Sequence, residues 1–510
     1  MTALHGHLKT SGLLQIVVKR RTTALQNRIG PSIPLINGRN VYYSDRFKRP
    51  HSVYRIELRW EMTGIVERMD SLSITRLHVF AGLVCAFALG ADLMDMSIGS
   101  ALTAVFSATP HQLDPKRLGW VISSVYVGAV LGGPALGWVA DRRGFKRVTV
   151  AALSWVGLTS MLAASSDNTI WLSVVRLLSG LALGAIPPLI IAYLTAIAPS
   201  RVRGLYIFWI CAISFLAAPA PIFMIRWLTP LQPLGIDAWR WPFAVAGLLS
   251  FGASAAFVRL PESPRWLLNQ HRFAQAASVC EKLERSPPVW GRRTESCEKG
   301  PDGARELTVT SQPLPSRLRL MGGFKARFAF LVALYFLHPW ATLGFSLLTG
   351  PILLARGYDL KDTLLFVGMA TFGPSLSTWI AGLLIDRLQR STALALSGVL
   401  MLAAAIVFFT LPTAGWITIA VVAFGIGSGF YVPLMSTYGA EIFITGAQAS
   451  ATASAWAINR IGAVAVPIVL LPLLQQRGAG SVALCIYLAL GLSILLVSVL
   501  GPRSPAAPIR

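Results

Sequence analysis

Five ionisable side chains stand in the middle of long apolar stretches: Asp92, Asp95, Arg176, His338 and Arg460. A charge placed in hydrocarbon costs about 2.5–3.5 kcal/mol even by the lenient scales, so each of these residues calls for a partner or a wetted crevice. Asp92 and Asp95 are three residues apart and share one face of a helix. A carboxylate in such a place can take up and release a proton, and a neighbouring guanidinium holds it ionised. At about 1.5 Å per residue, Asp95 lies about 27 Å along its helix and Arg176 reaches a similar depth in another. Asp92, Asp95 and Arg176 are therefore assigned to proton coupling.

Arg460 follows Trp456 and Asn459. A buried guanidinium can grip a carboxylate with two parallel hydrogen bonds, so Arg460 is read as an anion anchor, the alternatives being a structural ion pair with Glu441 or an arginine that snorkels to the interface. Tyr126, Trp340, Trp379, Trp456 and Phe372 are aromatic residues at mid-depth that can sandwich a planar ring. His338, beside Pro339 at a break in its helix, is either a pore residue or a packed one. The expected ligand-binding set is Arg460, Tyr126, His338, Trp340, Trp379, Trp456 and Asn459.

The elements that carry these residues follow from composition. Of 510 residues, 54% are hydrophobic and 13% charged, where a soluble chain carries roughly 25% charged. The apolar residues fall in blocks such as Leu77–Val105, Leu118–Ala140 and Gly478–Leu500, each near the roughly 20 residues that cross a bilayer as a helix. In lipid the backbone must satisfy its own hydrogen bonds, so these blocks are helical. Spans are expected near 77–105, 118–140, 148–165, 170–196, 205–228 and 240–260, then near 326–355, 362–385, 392–412, 414–438, 449–475 and 479–501. The fold class is thus all-α and integral to the membrane, with twelve spans in two six-helix bundles, 77–260 and 326–501. A basic extension, 1–76, precedes them. It is expected to be disordered, with Met62 an alternative start and Met62–Asp70 a short amphipathic lead into the first span. Residues 261–325, with Pro287-Pro288 and Gly300-Pro301, form a hydrophilic linker, and 502–510 a tail.

The net charge of +23 lies largely in the first 61 residues and in short loops. That distribution encodes topology, whereas a nucleic-acid interface needs a contiguous basic face. Arg142, Arg143, Lys146, Arg147, Arg201, Arg203, Arg387 and Arg390 mark one side, and the loops around Asp167 and Pro412 on the other are nearly free of positive charge. The basic side is expected to be cytoplasmic, with both termini inside and the chain in a bacterial inner membrane. Five cysteines, without paired spacing, imply neither a disulfide framework nor a metal site. No nucleophile–base set or nucleotide loop is present, so no enzyme and no cofactor is expected. The partners are the lipid bilayer, a proton and a small organic anion, for a chain acting as a monomer.

Seven identities recur at a constant offset of 245 residues: Gly137/Gly382, Asp141/Asp386, Arg142/Arg387, Gly180/Gly425, Gly184/Gly429, Pro188/Pro433 and Tyr193/Tyr438. They mark duplication of a six-helix unit, which suits halves that rock about a midplane site. At the same offset Asp92, Asp95 and Arg176 meet Leu337, Trp340 and Val421, and Arg460 meets Phe215. Packing residues recur in both halves. The lone charges do not.

Gly137-Trp-Val-Ala-Asp141-Arg142-Arg143-Gly144-Phe-Lys146-Arg147 resembles the G-x-x-x-D-R-x-G-R-R loop signature of the major facilitator superfamily, with an echo at Gly382, Asp386, Arg387 and Arg390. Arg176-x-x-x-Gly180-x-x-x-Gly184 resembles its fourth-helix motif, and Pro261-Glu262-Ser263-Pro264-Arg265-Trp266-Leu267 is similar to the segment after the sixth helix in sugar, organic-ion and aromatic-acid porters. Asp92-Leu-Met-Asp95 resembles the first-helix motif of aromatic-acid/proton symporters and nicotinate-type porters, with Leu93 in place of the usual Gly. The resemblance implies a gating loop formed by Gly137, Asp141, Arg142, Gly144, Arg147, Asp386 and Arg387. It implies proton-coupled uptake of a small organic anion, an aromatic or heteroaromatic carboxylate. Proton-driven export ranks second, because Tyr206–Leu228 contains no Gly where exporters carry a Gly-rich motif; sugar/proton symport is a further alternative. A non-transporting membrane sensor lacks its hallmark here, a long folded cytoplasmic domain.

Overall fold

The structure is a computed structural model that describes residues 64–200, 202–290, 324–384, 389–442 and 448–501. Among them, twelve helices are long and apolar enough to cross a membrane. Spans 1 to 6 are Arg76–Val105, Pro115–Arg143, Phe145–Ala164, Thr169–Ile197, Arg203–Leu228 and Arg240–Val258. Spans 7 to 12 are Lys325–Ala355, Leu360–Ile380, Arg390–Thr410, Ala414–Ser436, Ser454–Arg477 and Ala479–Leu500.

Local chemistry starts and breaks these helices. Span 2 begins at Asp114, whose carboxylate accepts from the Lys116 amide at 3.1 Å with Pro115 in the first turn, where a missing N–H does no harm. Asn168 caps span 4 through the Trp171 amide at 2.7 Å. Span 5 divides at Pro219 into Arg203–Phe215 and Ala220–Leu228, because proline cannot donate to the preceding turn. Large apolar side chains such as Leu83, Trp155, Leu396 and Leu488 point outward and exposed, as helices bathed in lipid require.

Within each half, span 2 packs on span 4 and span 8 on span 10, and the halves meet where span 2 touches span 11 and span 5 touches span 8. The internal repeat has a packing basis. A Cβ on Gly180 would collide with the backbone oxygen of Val125, and a Cβ on Gly425 with that of Ala370. Val125 and Ala370 are themselves 245 residues apart, so the duplicated glycines serve the same close helix crossing in both halves.

Hydrogen bonds join the halves at the end remote from the basic loops. Thr103 Oγ1 donates to the Leu347 carbonyl at 2.7 Å, Ser123 Oγ to the Val464 carbonyl at 2.8 Å, and Arg226 Nε to the Lys361 carbonyl at 2.9 Å. The hydroxyls of Ser100 and Ser346 lie 3.2 Å apart in the same layer.

The extension was expected to be disordered through residue 76. Residues 64–71 instead form a helix and Ile74–Thr75 a strand that pairs antiparallel with Pro288–Trp290. The helix buries Ile65 and Met69 against Trp266, Leu268, Val279 and Leu283 of two linker helices, Pro264–Asn269 and Phe273–Arg285. Arg68 reaches Glu284 with two bonds of 2.8 and 2.6 Å, and Asp70 bridges Arg265 at 2.8 Å and Arg203 at 3.2 Å. The apolar face of this short helix finds a partner some 200 residues away, which local sequence does not disclose. Residues 1–63, the remainder of the linker at 291–323 and the tail at 502–510 lie outside the described residues.

Candidate functional site

Span 1 carries Asp92 and Asp95 inward, both buried. Asp95 Oδ1 pairs with Arg176 Nη1 from span 4. Ser160 Oγ, from span 3, donates to Asp95 Oδ2 at 2.5 Å, and the Arg176 guanidinium lies 5.3 Å from the ring centre of Phe243 in span 6. Four helices of the first half thus enclose one ion pair, with a neutral donor on the carboxylate and an aromatic face beside the cation. Ser160 and Phe243 escaped the sequence reading. Their signal is the repeat: at an offset of 245 they meet Ala405 and Leu488, so the second half holds neither.

Asp92 has no such cage. Its Oδ1 is buried without a hydrogen-bond partner, and the charges that act on it are Arg460, across the halves in span 11, and Asp95. Arg460 in turn feels Asp92 and Tyr126, and Tyr126 stands in the field of both Arg176 and Arg460. Arg460 is half-buried and forms no ion pair or hydrogen bond among the described residues. The side chain of Glu441 lies outside the described set. Asp92, Tyr126 and Arg460 therefore bring an unpartnered carboxyl oxygen, a phenol and a cation without a partner among the described residues into one another's field between the halves.

Span 7 supplies the next layer. Pro339 has no N–H to donate to the carbonyl of Tyr335 one turn earlier. Asn459 Nδ2, from span 11, takes that role at 2.9 Å and lies 3.1 Å from His338 Nδ1. The helices approach closely here: a Cβ on Gly462 would sit 2.7 Å from the Pro339 ring. The His338 ring stacks on Tyr431, with centroids 5.8 Å apart and 16° between planes. Trp456 packs edge-on against Tyr335 at 5.3 Å, and Trp340 rests on Phe336 with its buried Nε1 unpartnered. Asn459, expected to touch ligand, commits its amide hydrogens to protein groups and acts as a support.

Other expected residues lie elsewhere. Trp379 packs against Trp209 at 5.2 Å, and Phe372, 42% exposed, against Phe223 at 5.9 Å, both on the seam of spans 5 and 8. Span 5 packs against the face of span 8 that bears them. In the last turn of span 2, the Asp141 carboxylate is exposed and forms no ion pair among the described residues, while its backbone carbonyl accepts from Trp266 Nε1 at 2.9 Å and Gln270 Nε2 at 3.1 Å. The carboxylate at the start of span 3 is Glu262, which accepts from the Lys146 amide at 3.1 Å beside Gly144, whose φ is +102°. Arg142 lies over the Trp138 ring at 3.6 Å, Arg147 is exposed, and a Cβ on Gly137 would meet nothing within 4 Å. Asp386 and Arg387 lie outside the described residues. No cluster of three or more metal-ligating side chains occurs among the described residues.

The arrangement of twelve spans matches known proteins. Among solved structures, the partially occluded inward-open form of the xylose transporter XylE from Escherichia coli superposes with a TM-score of 0.66 at 15% identity, covering 85% of this chain and 99% of that one. The inner membrane metabolite transport protein YgcS of Escherichia coli is 26% identical over 456 residues, 87% of this chain and 95% of the relative. The niacin transporter NiaP of Acinetobacter baylyi is 24% identical over 336 residues, 65% of this chain and 72% of the relative. The glucose transporter GlcP of Staphylococcus epidermidis is 26% identical over 383 residues, 73% and 82%. The profile of one family spans both halves, residues 82–467, and with the fold and the duplicated packing it establishes that the chain belongs to the Major Facilitator Superfamily of membrane transporters.

Proposed function

We propose that the chain is a proton-coupled symporter for a small organic anion, an aromatic or heteroaromatic carboxylate, working as a monomer in a bacterial inner membrane with its basic loops and termini cytoplasmic. One observation supports this reading: Arg460, half-buried, has no hydrogen-bonding partner among the described residues and stands in the field of Asp92, whose buried Oδ1 also lacks a partner. A carboxylate on Arg460 fills the vacancy with charge-assisted hydrogen bonds. Asp95 is the proton carrier in this scheme. Protonation neutralises the carboxyl and weakens its attraction to Arg176, which keeps its charge and is freed to change partners as the halves move. Loading from outside requires the Thr103–Leu347 and Ser123–Val464 bonds to part, and release inside follows their re-formation.

A second reading, proton-coupled sugar uptake, draws support from the likeness to GlcP, named a glucose transporter, and to the xylose transporter XylE. A neutral sugar leaves Arg460 without a counter-charge, and for that reason the anion ranks first. Proteoliposomes test the two readings with labelled benzoate, nicotinate and glucose. Accumulation of a carboxylate, driven by an inward proton gradient and abolished by a protonophore, is expected. Accumulation of glucose with no uptake of either carboxylate overturns the assignment.

A further inference from the structure

The hydrogen bonds around His338 determine which of its nitrogens bears the proton. The Tyr335 carbonyl can only accept, so the Asn459 atom 2.9 Å away is the amide nitrogen. That nitrogen has a second hydrogen, and it faces His338 Nδ1 at 3.1 Å. Nδ1 accepts it, which puts the proton of the neutral ring on Nε2. The neighbour of Nε2 is Thr342 Oγ1 at 3.4 Å, longer than the usual span of about 2.7–3.2 Å. The Thr342 hydroxyl hydrogen is already given to the His338 carbonyl at 2.9 Å. Nε2–H is thus a donor held in place by the Tyr431 stack and poorly satisfied, on a ring that stands in the field of Arg460.

We propose that His338 is a specificity-determining residue: as an Nε2–H donor oriented by Asn459, it selects carboxylates that carry a second hydrogen-bond acceptor on their ring over those that carry none. Arg460 holds the carboxylate and His338 reads the ring. Asn459 is a positioning residue that acts through the histidine. Pro339 is part of the device, since it frees the carbonyl that orients the amide. The inference rests on the anion reading given above.

Binding of nicotinate, which has a ring acceptor, and of benzoate, which has none, to the purified full-length chain tests the proposal. Each variant is checked for monodispersity by size exclusion. The wild type is expected to favour nicotinate by about tenfold, the worth of one well-placed hydrogen bond in a desolvated site. H338F brings the ratio of the two affinities close to one, and H338Q, which keeps a donor at a similar reach, restores most of the preference. N459D also lowers the ratio, because a carboxylate there can only accept, which favours the tautomer with its proton on Nδ1 and leaves Nε2 without one. A ratio near one in the wild type, or a ratio unmoved by H338F, overturns the proposal while leaving the anion reading intact. If the wild type binds neither carboxylate, or R460A binds both as the wild type does, the anion reading fails and the selectivity device falls with it.

Discussion

Ser160 Oγ lies 2.5 Å from Asp95 Oδ2, on the oxygen that the Arg176 ion pair leaves available. The pair is fully enclosed by protein, so its members depend on each other. Removing one partner of a buried ion pair costs about 3–5 kcal/mol, whereas neutralising both together costs far less. R176A is expected to melt well below the wild type in detergent, and D95N/R176Q to recover most of that loss. Neither should accumulate substrate against a gradient, while D95N should still exchange substrate between compartments. Melting curves and counterflow assays check this, and gradient-driven accumulation by D95N contradicts the coupling role.

The docked helix at residues 64–71 shields Cys280. Burial and the nearby Glu284 push this thiol up to about 11, so little thiolate exists at neutral pH. Glu284 is held in turn by Arg68. Cutting the helix away, or replacing Met69 with Asp, is expected to raise the rate of maleimide labelling at Cys280 by about tenfold or more, as exposure and a lower pKa both increase thiolate access. Mass spectrometry of the labelled peptide is the measurement. Equal rates with and without the helix would show that it does not cover the linker.

Closure at the far end rests on small residues. A Cβ on Gly350 would lie 2.7 Å from the Ala104 Cβ, within the layer of the Thr103 and Ser100 bonds. G350W cannot fit there with the halves joined. The variant is expected to hold that end open and to lose uptake by at least about tenfold, the two states being discrete packings of one bundle. A cysteine placed at Ser346 should become reactive toward a membrane-impermeant reagent in G350W and stay protected in the wild type.

The architecture was legible because it is written in long-range repetition: apolar block length specifies helices, and the 245-residue offset picks out Gly180 and Gly425, which serve the same crossing. The lone charges were legible for the opposite reason, since Asp95, Arg176 and Arg460 break both the hydropathy and the repeat. Ser160 was hidden because a serine is unremarkable in a helix, and only the fold carries it to Asp95. The contact of Trp379 with Trp209 was not legible, because depth along a helix does not say which face a side chain takes. The docking of the 64–71 helix was not legible because its partner surface, Trp266 to Leu283, is remote in sequence.

The claim on which the mechanism turns is that Arg460 receives the carboxylate between the halves. An experimental structure of the full chain with 3-iodobenzoate, its iodine located by anomalous scattering, tests it directly. The carboxylate is expected within about 2.7–3.2 Å of the Arg460 guanidinium, with the ring directed toward His338. Iodine density confined to the lipid-facing surface or to the seam of spans 5 and 8, with the Arg460 side chain unoccupied, would contradict the account.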